Sequence, residues 1–199
     1  KMKNRILTGF AVVVMTAMLA GCGKVPQAQV DEANAAIAAA QTAQADVYVP
    51  ADFAALQDSM RAVNAYIEGQ KSKLFKKYGP AKENLTKVVA LAKTVQESAV
   101  ARKEEVKKEV ETLIESLKGV IEENTKLFPR APRGKEGAAV LEQMKTEMET
   151  VSAASAEAQN LYVEGKYMDA LNKLKAAKET ADKINNDLKE AIKKVGGRI

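Results

Sequence analysis

Leu85, Val88, Ala92, Val95 and Ala99 follow one another at alternating spacings of three and four. Val106, Val110, Leu113, Leu117 and Val120 do the same. Such spacing lays apolar side chains along one stripe of an α-helix and asks for a helical partner along it. Gly79-Pro80 opens this stretch and Phe128-Pro129 closes it. Residues 80–127 are therefore predicted as one very long helix, about 70 Å at 1.5 Å per residue. Between the two seams stands Arg102-Lys103-Glu104-Glu105. This charged run reads as a solvated stretch or as a shift of phase between packing partners.

The rest of the chain also reads as helix. Residues 28–45 are half alanine, the strongest helix former and small enough for close helix approach. Tyr48-Val49-Pro50 interrupts, because a residue before proline avoids helical geometry. A second helix is expected over 51–77, with Phe53, Leu56, Met60, Val63, Ile67 and Leu74 as its apolar positions. The segment 128–134, with two prolines and a glycine, is a loop. A fourth helix is expected over 136–164 and a fifth over 167–195, split by Gly165. The fold class is all-α: an elongated antiparallel helical bundle or coiled-coil hairpin with one very long central helix. Because 28–77 and 80–127 match in length, the first two helices are expected to run along the whole third one. Residues 28–199 form a single domain in this reading.

Asn64-Ala65-Tyr66-Ile67-Glu68-Gly69 is similar to Asn160-Leu161-Tyr162-Val163-Glu164-Gly165. Downstream, Tyr78, Ala81, Leu85, Val88, Ala92 and Val95 align with Tyr167, Ala170, Leu174, Ala177, Ala181 and Ile184. The two alignments differ by seven residues, about two helical turns, so the same face is kept. This suggests two related helical hairpins, although alanine-rich helices also resemble one another by chance. Leu161, Gly165, Tyr167, Ala170, Leu174 and Ala177 further resemble half of a tetratricopeptide repeat, without a continuing period.

Residues 1–21 carry Lys1, Lys3 and Arg5, then an apolar run from 6 to 19. That run has the length of a signal-peptide core and is short for a membrane span. Leu19-Ala20-Gly21-Cys22 follows and resembles the lipobox of bacterial lipoprotein precursors. The resemblance implies a diacylglyceryl thioether on Cys22 and cleavage between Gly21 and Cys22. Residues 22–27 would then be a short lipidated tether. Gly23 in the next position leans towards the outer membrane, facing the periplasm, over the inner one. The mature chain as a whole resembles alanine-rich helical envelope lipoproteins carrying a domain of unknown function. Ala36, Ala39, Tyr48, Pro50, Gly165, Tyr167 and Ala170 carry that likeness.

Composition narrows function further. Three of the 31 basic residues lie in the leader, leaving 28 against 26 acidic ones. A net charge of +2 and no basic stripe interleaved with aromatics argue against nucleic acid as a partner. The chain has no histidine, no tryptophan and one cysteine. With that cysteine acylated, no free thiol is left, which removes histidine and cysteine metal sites, cysteine nucleophiles and Ser–His triads, and no cofactor or metal is expected. No Gly-rich phosphate loop is present. The leading expectation is a non-enzymatic, membrane-anchored scaffold or adaptor with an envelope protein as partner. A carrier of a lipid or other apolar ligand is the first alternative, and a passive envelope or cell-wall protein the second. Candidate partner contacts are Arg130 and Arg133 in the loop, and Tyr162, Gly165 and Tyr167 at the last hairpin. The tyrosines equally suit core packing, and the arginines a polar turn. The seams also allow a homo-oligomer.

Overall fold

The computed structural model describes residues 24–134 and 137–196. Among them the chain is all-helical: α1 Gln27–Thr42, α2 Ala45–Tyr48, α3 Pro50–Lys71, α4 Gly79–Leu127, α5 Gly137–Val163 and α6 Tyr167–Lys194. A 3₁₀ turn, Phe128–Arg130, follows α4. α4 is unbroken over 49 residues, about 73 Å long. Every buried side chain among the described residues lies between Pro26 and Ile192. Gly21 and Cys22 lie outside the described residues.

α4 is the spine of two three-helix bundles placed in tandem. Its first half, with Ala81, Leu85, Val88, Ala92, Val95 and Ala99, shares a core with Ala33 and Ala40 of α1 and Phe53, Leu56, Met60, Val63 and Ile67 of α3. Its second half, with Val106, Val110 and Leu117, shares a core with Val151 and Ala158 of α5 and with α6. Leu127, Ala131, Ile184, Leu188 and Ile192 close the far end over Met144 and Met148. The expectation that the first two helices follow the whole of the third is corrected here. They stop near residue 103, because the charged stretch ends one seam and the α5–α6 hairpin takes over the next.

Helix directions follow from named contacts. Lys103 Nζ donates to Gln44 Oε1 at 2.7 Å, which sets the end of α1 beside the middle of α4. Tyr66 Oη donates to the Lys77 carbonyl, which sets the end of α3 beside the start of α4. α1 therefore runs parallel to α4 and α3 antiparallel to it. In the second bundle, Lys175–Glu109 and Lys189–Glu123 pair at 2.8 Å each. The fourteen-residue step is the same on both helices, so α6 is parallel to α4. Both bundles thus have one topology, up-down-up, with the first and third helices closest. α4 is the third helix of one and the first helix of the other. The aligned series from Ala81 and from Ala170 occupy equivalent core positions in the two units.

Two chain breaks differ from expectation. The first helix ends at Thr42, not at 45, because Gln44 adopts the left-handed conformation with φ 61°. α2 then makes one turn and delivers Tyr48 into the core of the second bundle. The second helix ends at Lys71, six residues before the expected 77. Leu74, expected among the apolar core positions, is instead 90% exposed. Helical spacing alone put it there; the chain leaves the helix first, and Gln70 Oε1 accepts from the Lys77 amide across the loop.

Two buried polar groups behave oppositely. Asn124 of α4 is 1% exposed. Its Nδ2 donates to the Ala181 carbonyl at 2.9 Å, and its Oδ1 accepts from Asn185 Nδ2 at 2.8 Å. A satisfied amide inside a helix pair fixes register, since a shift would strand its partners. Tyr78, 4% exposed, has no partner for its hydroxyl among the described residues. Asn124→Ala should therefore lower unfolding free energy by about 1–3 kcal/mol. Tyr78→Phe, which removes only the orphan hydroxyl, should leave stability unchanged or raise it by about 1 kcal/mol. Urea denaturation of the two variants checks both signs.

Candidate interaction site

The α5–α6 turn is built by a glycine. Gly165 has φ 77°. The Lys166 amide donates to the Leu161 carbonyl at 2.9 Å and the Gly165 amide to the Tyr162 carbonyl at 3.0 Å. This pair of bonds is the Schellman closure of a helix end, which requires a left-handed residue. The turn brings Tyr162 and Tyr167 together, with ring centroids 5.3 Å apart and planes tilted by 48°. A tilted pair at this separation lies within the range of attractive aromatic contacts.

The tip docks on the middle of α4. Tyr162 Oη donates to the Glu111 carboxylate. That acceptor, with smaller contributions from desolvation and from the carboxylate's charge, pushes the phenol up to about 12. Lys103 Nζ lies 5.9 Å from the ring centroids of both Tyr48 and Tyr167. A cation over two aromatic faces is attracted by both quadrupoles. Burial raises the Tyr48 phenol, the charge of the Tyr167 phenolate adds to this, and a hydrogen bond with the Tyr167 backbone opposes it. Gln44, Tyr48, Lys103, Glu111, Tyr162 and Tyr167 thus form one polar–aromatic joint where the two bundles meet.

Of the sequence-proposed contacts, Tyr162, Gly165 and Tyr167 come together at this joint and are half-buried there. Arg130 and Arg133 lie elsewhere, exposed on the segment after α4 at the far end of the molecule. Tyr48, Gln44, Lys103 and Glu111 were not singled out as contacts. One signal pointed to Lys103: it lies four residues after Ala99 and three before Val106, on the line of the seams. The reading of the charged run as a phase shift is the one that fits, since Lys103 is partly covered and Glu104 and Glu105 are exposed.

Surface grooves offer further contact area. One of about 600 Å³, between α5 and α6, is lined by Val151, Ala154, Leu161, Lys173 and Ala177 among others. The void beside Asn124 measures only about 10 Å³. Among the described residues no group of three or more acidic, histidine or cysteine side chains is placed to hold a metal ion. No described helix is long and apolar enough to cross a membrane. Comparison with family models, curated proteins and solved structures finds no match for this chain.

The joint makes a titration test. The folded Tyr162 keeps its proton above the ordinary phenol value of 10.0. Its hydrogen bond therefore contributes stability in full below about 10 and loses it as pH rises through about 12. Glu111→Gln should bring the phenol back towards its ordinary range, because the charged acceptor is gone. Phenolate absorbance, followed with and without Tyr162→Phe to assign the late-titrating component, measures the change.

Proposed function

We propose that this protein is a non-enzymatic envelope lipoprotein that acts as a scaffold or adaptor, held at a membrane by lipid on Cys22. The observation that carries this reading is the unbroken α4 helix with two bundles strung along it. A shared helix about 73 Å long makes a stiff rod and sets fixed distances between surface features. The half-buried tip at Tyr162, Gly165 and Tyr167 lies mid-rod, and Arg130 and Arg133 lie at the distal end. Acyl chains on Cys22 confine the rod to one membrane face and raise its effective concentration for a partner there. The outer membrane, with the body in the periplasm, is the location we propose. Absence of histidine and of any free thiol after acylation supports a binding role over catalysis. The void beside Asn124, about 10 Å³, is too small for an apolar ligand, so a carrier would have to use a surface groove such as the one between α5 and α6.

Two measurements test the proposal. The N-terminal peptide of the mature chain should begin at Cys22 and carry acyl groups by mass, and Cys22→Ser should abolish the increment. In-cell crosslinking of tagged protein should yield a discrete envelope partner that is lost in the Cys22→Ser chain. Acylated protein that captures no partner would sink the adaptor reading.

A further inference from the structure

The loop between α3 and α4 displays Leu74 and Phe75, which are 90% and 81% exposed. Single exposed apolar residues are ordinary on protein surfaces. This pair differs in three respects. First, the loop is pinned in this shape. Lys73 N donates to the Gln70 carbonyl, Lys77 N donates to Gln70 Oε1, and the Lys77 carbonyl accepts from Tyr66. Second, Lys71, Lys73, Lys76 and Lys77 flank the pair, with no acidic residue between them. Only Lys71 is ion-paired among the described residues, to Glu68. Third, the loop lies at the end of the rod from which the chain leads back to Cys22. From Gln44, level with Lys103, α1 descends about 25 Å to Gln27, while α4 descends about 36 Å to Gly79. Pro26 is buried at the start of α1 and Val25 packs on the core, so the three residues from Val25 back to Cys22 supply the reach, up to about 10 Å and close to the difference.

We infer that the 71–77 loop is a second membrane contact, with Leu74 and Phe75 entering the interface of an anionic leaflet and the lysines meeting its headgroup phosphates. The positional argument rests on the lipid-anchor reading; the loop's chemistry does not. Apolar side chains between lysines suit the interface because the rings and alkyl stems enter the acyl boundary while the ammonium groups stay with phosphate. Each lysine near an anionic surface strengthens binding about fivefold, and salt screens it. A diacylglyceryl group already anchors the chain stably, so the loop is not needed for residence; it keeps this end of the rod against the bilayer. It also fixes orientation. Two separated attachments on one end of a rod hold it at a set angle to the bilayer.

The test uses residues 22–199 carrying Cys22→Ser, a chain that holds the whole described core and no acyl group. It should float with vesicles of phosphatidylcholine and phosphatidylglycerol, not with phosphatidylcholine alone, and salt should release it. Leu74→Ser with Phe75→Ser should cut binding on the order of tenfold or more, with circular dichroism unchanged. Absence of binding to the anionic vesicles would overturn the inference, and so would binding that the double variant retains. The anchor reading is judged separately by the acyl mass on Cys22, so either idea can fail without the other.

Discussion

The whole architecture depends on α4 changing its buried face without ceasing to be a helix. Leu85, Ala92, Ala99, Val106, Leu113 and Val120 form one unbroken heptad line. The companion row does not stay in place. It runs three residues after that line in the first half (Val88, Val95) and four residues after it in the second (Val110, Leu117, Asn124). One residue is about 100° of rotation, so the second row crosses from one side of the line to the other. α1 and α3 cover the first arrangement and α5 and α6 the second. No partner could follow both, which is why the bundles are two.

Lys103 stands at the crossing. An apolar residue there would face neither core fully, whereas a lysine lays its stem along the apolar surface and keeps its ammonium among polar and aromatic groups. Gln44 accepts from it, and Tyr48 and Tyr167 flank it. Gln44 reaches this position only because the chain adopts φ 61° there. Such a conformation costs an L-residue roughly 1–2 kcal/mol. It ends α1 and turns Tyr48 into the neighbouring core, so one local departure from helix joins two otherwise separate bundles.

Much of this was legible in the sequence, for identifiable reasons. The seams of α4, the start of α3 at Pro50 and the turn at Gly165 were readable because spacing, proline and glycine each act locally. The duplicated unit was readable from the series after Tyr78 against the series after Tyr167, whereas Gly69 does not match the turn at Gly165, since it lies inside α3. What stayed hidden depended on distant partners. Nothing in the letters around Gln44 marks a left-handed residue, and Leu74 looked like core because it continues a helical spacing that the backbone abandons. Lys103 and Glu111 looked like ordinary solvent-facing charges; their partners, Gln44, Tyr48 and Tyr167 for Lys103 and Tyr162 for Glu111, all lie more than fifty residues away in sequence. The loop that carries Leu74 and Phe75 was invisible for the same reason.

Sharing one helix between two cores has a consequence for how the molecule comes apart. If the first bundle opened, α4 would be left with Leu85, Val88, Val95 and Ala99 facing water on a half-helix that has little stability of its own, since long helices in water depend on tertiary cover. If the second opened, Val106, Val110 and Leu117 would be stranded likewise, and Tyr48 would lose its seat. Neither half is an autonomous folding unit in the way two domains on a linker are. The two cores are separate in space and joined in cooperativity: the continuous backbone of α4 carries the loss of one into the other.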